Sequence, residues 1–324
     1  MVTRDGHCSP GGWLPLLAVG MALVVTGSPL AQEKRETPTT LIHLTDPDGS
    51  DPKPLADLPE FRFQGSPAWS RDGTRVAFDA WQPQYGETNS DSQIVIVDAN
   101  GKNPRVLIDG AMPSFSPRGK RIAFSRYSPN RGVWVMNAED PEKELVLLDE
   151  SGWSADWSPD GKSIAYTKYG SSGANIIVFD LVEGDRRFLF DEAQSPYRGI
   201  YWNICWSPDS KRIVYRAIGQ DGQQEIGVVN AESPSQDYVT LLKGKAASGM
   251  GWSPDGKRVL VSRRDPERKV TQLYSLDADK PSAPERLKGQ DPEAHLTDFA
   301  FAPDGKSLAV SVRKPAPAKD KAKK

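Results

Sequence analysis

Trp157-Ser158-Pro159-Asp160-Gly161-Lys162-Ser163-Ile164-Ala165-Tyr166 decides the fold. It reads as an aromatic anchor, a four-residue turn and an apolar strand. Five further copies begin at Trp69, Phe115, Trp206, Trp252 and Phe301. Separations of 46, 42, 49, 46 and 49 residues between successive anchors are too regular for chance. A strand-and-turn repeat of this length predicts an all-β, six-bladed propeller, each copy supplying one four-stranded antiparallel blade.

Inside the turn, Pro presets φ, Asp bonds its own backbone, and Gly adopts a conformation that other side chains resist. Three copies each lack one of these three residues. Ser70-Arg71-Asp72-Gly73 lacks Pro, Ser116-Pro117-Arg118-Gly119 lacks Asp, and Ser207-Pro208-Asp209-Ser210 lacks Gly. The strand that follows sets a larger apolar face (Val76/Phe78, Ile122/Phe124, Ile164/Tyr166, Ile213/Tyr215, Val259/Val261) against one that is often small (Ala77, Ala123, Ala165, Val214, Leu260). Both faces are apolar because neighbouring blades cover both, and large against small lets stacked sheets interdigitate. The anchor aromatics belong to the same seams, so packing is the preferred role for them over ligand contact.

The ends of the repeat region complement each other. Residues 41–44 and 54–58 read as two short outer strands, whereas 295–301 and 307–312 read as an inner pair with no outer pair after it. One blade is therefore expected to be shared, its N-terminal outer strands pairing with the C-terminal inner strands. That clasp closes the ring and leaves no open sheet between first and last blade. The acidic turn Asp46-Pro47-Asp48-Gly49-Ser50-Asp51 resembles a calcium loop, but it occupies the place of an ordinary outer-pair turn and lacks the Glu an EF-hand needs. A plain turn is the preferred reading, and neither a metal nor a cofactor is expected.

The pattern aromatic-Ser-Pro-Asp-Gly-Lys-x-Ile-Ala-Phe/Tyr resembles the repeat of the TolB-type six-bladed propellers, bacterial relatives of the WD-repeat proteins, across residues 40–313. The resemblance implies the propeller fold and, for function, work among proteins of the cell envelope. TolB itself carries an α/β domain ahead of its propeller, and that domain is not expected here. Similar repeats cap peptidases of the prolyl oligopeptidase type, but no hydrolase domain is expected after these. They also build oligogalacturonate lyases with a histidine-rich metal site, for which His43 and His295 are too few.

Composition narrows the classes further. The formal net charge is −2, while residues 314–324 hold five Lys and one Asp. The body is thus acidic with a basic, low-complexity tail that is expected to be disordered, which is not the profile of a nucleic-acid-binding domain. Of two cysteines, Cys8 falls in residues 1–31, which read as a secretory signal: Arg4, an apolar run at 13–25, and Ser28-Pro29-Leu30-Ala31 as the cut site. The run is shorter than the ~20 residues of a membrane-spanning helix. Export to the periplasm or beyond is expected, with no stable membrane span after processing, or a membrane anchor if the signal stays uncleaved. Residues 32–39 form a polar leader. Cys205 reads as a buried, inert thiol.

No Gly-x-Ser-x-Gly elbow, His-Glu-x-x-His motif or phosphate-binding loop is present, so no enzyme is expected. His295 near Asp298 reads as a strand-start histidine rather than part of a triad. The motif turns share one face of the ring with the short outer-pair turns. The opposite face collects the longer, varied loops at 79–93, 126–132, 168–175, 191–203, 216–224 and 263–271. Loops on a rigid scaffold carry binding, so this is the candidate face. Arg126, Lys168 and Arg263 recur at equivalent positions there, joined by Arg131, Arg198 and Arg216. Trp81, Tyr127, Tyr169, Tyr197 and Trp202 are the interleaved aromatics. Arginine and aromatics are enriched at protein-interface hot spots, and they equally suit a carboxylate-bearing peptide. A non-enzymatic scaffold binding an envelope protein or peptide is the leading expectation; a protein binding or degrading an acidic polysaccharide is the alternative.

Overall fold

The computed structural model describes residues 39–82, 91–170, 173–191, 195–233, 237–244 and 249–313, all within a unit spanning residues 37–324. The expected signal segment, most of the leader, the basic tail and the 83–90 part of the first long loop lie outside the described residues.

Antiparallel pairing sorts the strands into four-membered groups in chain order. The first holds Phe63–Trp69, Arg75–Trp81, Gln93–Asp98 and Arg105–Asp109, and the second Ala111–Phe115, Arg121–Arg126, Gly132–Asn137 and Leu145–Asp149. The third is Gly152–Trp157, Ser163–Gly170, Gly173–Asp180 and Arg186–Phe188. In the fourth the inner strand is split into Tyr197–Ile200 and Cys205–Trp206, ahead of Arg212–Gly219, Gln224–Asn230 and Tyr238–Lys243. Met250–Trp252, Arg258–Arg264, Thr271–Asp277 and Glu285–Arg286 make the fifth. The sixth draws on both ends of the repeat region: His295–Phe301 and Leu308–Arg313 pair with Thr40–Thr45, which pairs with Lys53–Pro54. A single parallel bridge, Thr40 to Phe63, joins this group to the first, so the two form one eight-stranded sheet. The protein is an all-β propeller of four-stranded antiparallel blades.

The clasp is complete along Thr40–Thr45, where all six residues pair with Leu308–Arg313. Its outer strand is shorter than the sequence suggests, only Lys53–Pro54 instead of 54–58. Pro54 has no amide to continue the ladder. The chain then leaves the sheet and buries Leu55, Ala56 and Leu58 against Ile42, Phe61 and Phe78.

Among the described residues the apolar core is divided into six seams, each made by facing surfaces of neighbouring blades. Ala165, Ile176 and Val178 of the third blade meet Trp206, Ile213 and Tyr215 of the fourth. Val214, Ile226 and Val228 of the fourth then meet Trp252, Val259 and Val261 of the fifth. The large and small faces of each second strand thus serve opposite seams, and the central residues of these strands are buried on both sides. Alternation in a strand covered on both sides is an alternation of size, not of polarity.

The motif turns form a belt. In the third blade Ser158 Oγ donates to Asp160 Oδ1 at 2.7 Å and accepts from Ser163 N at 2.9 Å, while Asp160 Oδ1 accepts from Lys162 N at 3.0 Å. The turn serine, unexplained by the sequence pattern, therefore ties the turn to the following strand. Turn glycines lie over the preceding blade's proline: a Cβ on Gly161 would sit 3.3 Å from Pro117, and one on Gly305 3.3 Å from Pro254. Departures from the motif are compensated locally. Ser210 stands where Gly is usual, at φ 62, and its Oγ accepts from Asp160 N of the preceding blade at 3.0 Å. Beside Arg71, which replaces Pro in the first blade, Arg75 Nη2 donates to Gly119 O at 2.7 Å and holds the next turn.

Candidate binding face and central channel

The first strands of all six groups line one cavity of about 390 Å³. At the turn end its wall is Pro117, Pro159, Pro208, Pro254 and Pro303, with Arg71 in the remaining place. The motif turn thus does more than reverse the chain, since its prolines also line the channel. At the other end, three residues before each anchor, stand Ser66, Met112, Ser154, Asn203, Gly249 and Asp298.

There the first strands leave register with the second strands. Shifts fall between Gly65 and Ala68, Ala111 and Ser114, Trp153 and Asp156, and Leu296 and Phe299. Ser66, Met112, Ser154 and Asn203 adopt positive φ, as bulged strands permit. A bulge removes amides from the ladder, and side chains recover them. Met112 N donates to Asp79 Oδ2 and Ser154 N to Ser125 Oγ, each at 2.8 Å.

Three carboxyl groups sit in this region. Asp79 is 2% exposed; burial first, and the charge of Asp298 in addition, push it up to about 6 despite the bond from Met112. A Cβ on Gly65 would lie 2.8 Å from Asp79 Oδ1 and 3.4 Å from Asp298 Oδ2, so the two acids flank a residue that must stay small. Asp298 is also raised by burial, against a hydrogen bond from Ser66 N. Asp156 Oδ1 accepts from Ser114 Oγ and its Oδ2 from Trp206 N, both at 2.8 Å, and burial raises it too. Asp156 and Asp298 face the cavity, yet protein surrounds them on most sides, which is what costs them hydration. Cys205 lies beside Asp156 on the cavity wall, half-buried where the sequence predicts a buried thiol, and desolvation raises its thiol well above the usual value.

The eleven residues marked out on the long-loop face divide by what they touch. Arg126 clamps Asp109, the last residue of the first blade's outer strand, through Nε at 2.9 Å and Nη2 at 2.5 Å, with its guanidinium over Trp134. Lys168 does the same one blade later, its Nζ 2.9 Å from Asp149, whose Oδ2 also accepts from Tyr166 Oη at 3.0 Å. Burial alone would raise Asp149; Lys168, Ser151 N and Tyr166 together hold it below the usual range. The periodicity that singled out these two basic residues is thus the periodicity of an inter-blade clamp. Arg263 lies over Tyr274, with centroid distance 5.4 Å. Tyr197 is buried, its Oη 2.6 Å from Tyr215 Oη. Trp81 stacks on Phe63, and Tyr127 tilts against Trp153 at 4.7 Å.

Of the rest, Arg216 is half-buried and the other four are exposed. Tyr169 is 45% exposed and Trp202 40% exposed. Trp202 meets Tyr201 edge-on, and Arg216 lies 4.0 Å over the Tyr201 ring, its charge disfavoured by desolvation. Arg131 and Arg198 are exposed. Asp79 is absent from the residues that sequence patterning singles out, although it leaves a signal there. It occupies the tenth position after the anchor, where the other copies carry Ser125, Thr167, Arg216, Ser262 and Ser311, a polar site recurring inside an apolar strand.

Among the described residues, no helix is long and apolar enough to cross a membrane, and no group of three or more His, Cys, Asp or Glu residues is arranged to hold a metal ion. In the Asp46–Asp51 turn, Ser50 Oγ donates to both Asp46 Oδ2 and Asp48 Oδ1, and Asp51 pairs with Lys53.

Blades of this build, stacked around a lined channel, define a propeller of the kind the repeat resembles. The sequence profile of the TolB beta propeller domain matches residues 139–319, more than half of the chain, and the chain belongs to that family. It is 26% identical over 127 residues to the Tol-Pal system protein TolB of Xylella fastidiosa (strain M12), a stretch amounting to 39% of this chain and 19% of that protein. A putative TolB from Agrobacterium tumefaciens has the same fold, with a TM-score of 0.65 at 17% identity over 86% of this chain and 99% of that one. TolB from Acinetobacter baumannii superposes with a TM-score of 0.60 at 18% identity, covering 84% of this chain and 63% of that one.

Proposed function

We propose that this chain is an exported, non-enzymatic propeller that binds a protein or peptide partner of the cell envelope through its long-loop face. The observation that carries the reading is the surface of the third and fourth blades. Trp202 and Tyr169 expose broad rings there, Tyr201 is stacked under Arg216, and Arg198 is exposed beside them in the chain. Rigid aromatics beside arginine supply contact area at low entropic cost, as interface hot spots do. Membership of the TolB beta propeller domain family supports an envelope partner, and the apolar run at 13–25 supports export.

The test uses a Tyr169→Ala/Arg198→Ala/Trp202→Ala variant, built from residues outside the clamps, and an Arg118→Ala control on the turn face. Capture of partners from envelope extracts should fall at least tenfold for the triple variant and stay unchanged for the control, with both unfolding as the parent does. Equal capture by all three proteins contradicts the assignment. Retention of acidic polysaccharide that the triple variant loses, with no protein captured, would instead favour a glycan-binding face.

A further inference from the structure

The proline collar at the turn end of the channel has one gap. Five turns place Pro117, Pro159, Pro208, Pro254 and Pro303 on the cavity wall, and the first blade places Arg71 there instead. A proline offers neither an amide nor a charge, so the collar is apolar apart from one guanidinium. Arg71 also lines a second cavity of about 570 Å³, shared with Leu44, Trp69, Ala99 and Pro303, where the sixth and first blades meet. It is exposed, and it stands between two open spaces.

The acids around Arg71 are engaged elsewhere. Asp72 Oδ1 accepts from Ser70 Oγ at 2.6 Å, from Thr74 N at 3.0 Å and from Thr74 Oγ1 at 2.8 Å. Asp304 Oδ1 accepts from Lys306 N at 3.0 Å, and its Oδ2 lies 3.9 Å from Lys306 Nζ. Arg75, four residues on, is taken up by Gly119 O and by Glu139. Among the described residues Arg71 itself has no hydrogen bond or ion pair. Of the residues that line the channel cavity it is the one cation, while Asp156 and Asp298 are the acids, both towards the other end. The six anchor aromatics line the stretch between. A volume of about 390 Å³ lies within the range of roughly 300–1,000 Å³ usual for small-molecule sites, which join apolar walls to a few polar groups.

We propose that the turn-face mouth of the channel binds a small carboxylic acid as its anion, with the carboxylate on Arg71 and a compact apolar body directed inward past the prolines. A guanidinium matches a carboxylate with two parallel hydrogen bonds. One guanidinium balances one negative charge, so a carboxylate suits an apolar collar better than a doubly charged phosphate does. Asp156 and Asp298 repel a carboxylate placed at the other end, which fixes the orientation. The site lies on the face opposite the one assigned to the envelope partner and does not rest on that assignment.

The experiment titrates cyclohexanecarboxylate into the full chain at neutral pH, with ionic strength held constant by sodium chloride. Tryptophan fluorescence reports binding, since Trp69, Trp157, Trp206 and Trp252 line the cavity. A saturable change is expected. Its dissociation constant should rise about tenfold in Arg71→Gln and in Arg71→Pro, the loss of one charge-assisted contact, and stay unchanged in Arg118→Gln, on the same face outside the cavity. Arg71→Pro installs the residue that five other turns carry, so the fold is kept while the cation is removed. Cyclohexanecarboxamide, which has the body without the charge, should not saturate, and acetate, which has the charge without the body, should bind more weakly. A linear response, parental affinity in the two Arg71 variants, saturation by the amide, or acetate binding as tightly as the larger acid overturns the site.

Discussion

A buried carboxylate is costly unless it is paired, and the donors to Asp79 among the described residues are amides and a serine side chain, next to another acid. Its folded pKa of about 6 lies above the ordinary value of 3.8, so the folded state holds the proton more tightly than the unfolded chain. Stability attributable to Asp79 is therefore full below pH 3.8 and declines as pH rises to about 6. Over that span the loss is of the order of 3 kcal/mol, because each tenfold gain in proton affinity corresponds to about 1.4 kcal/mol. Asp79→Asn can still accept from Met112 N, so it should be more stable than the parent at pH 7 and lose that advantage by pH 4. Urea unfolding across the interval checks this; a difference that does not vary with pH contradicts it.

At the scale of strands and turns, similar residues at similar positions do different things. Lys168 and Arg198 are both basic residues of the candidate face, but Lys168 neutralises Asp149, a carboxylate with side-chain exposure of 3%. Lys168→Ala should destabilise by about 1–3 kcal/mol, the cost of stranding a mostly buried charge, whereas Arg198→Ala should stay within about 0.5 kcal/mol. Thermal unfolding separates the two, and equal effects would remove the clamp. Ser158→Ala should cost about 1 kcal/mol by leaving Ser163 N without its acceptor. The sixth blade tolerates Ala302 at that place, so the loss should not abolish folding.

These particulars show what a single sequence discloses. The anchor, turn and size-alternating strand of 157–166 carry the blade, because turn geometry and seam packing act within a few residues and recur at each copy. The clasp is legible too, from an outer pair at one end and an inner pair at the other. The candidate face is less so. The recurrence of Arg126 and Lys168 looks like a binding motif, but a repeat reproduces its own seams first, and Asp109 and Asp149 lie in different blades from each other, each holding one of these bases. Tyr197 is hidden for the same reason: only the third dimension places it against Tyr215. Asp79 and Asp298 meet across the junction where the ends of the repeat region come together, a proximity that no sequence spacing expresses.

For the whole molecule, the ring is held by pairwise seams and closed by one strand. Ile42, 1% exposed, sits in the seam that joins the sixth blade to the first, and its amide donates to Gln64 Oε1 at 2.9 Å. Ile42→Asp puts an unpaired charge into that seam. The variant should melt well below the parent and be cut by protease first near residues 39–62, whereas parental melting would show that closure depends on other contacts. A closed ring with rigid seams leaves its loops free to vary, which is why recognition is assigned to the long-loop face. The most direct test is site-specific photo-crosslinking from a reactive side chain at Trp202, compared with one at Arg118 on the turn face, in intact cells. Discrete adducts from position 202, absent from position 118 and suppressed by Tyr169→Ala/Arg198→Ala, are the expected result. Adducts from position 118 with none from 202 would contradict the assignment of function to this face.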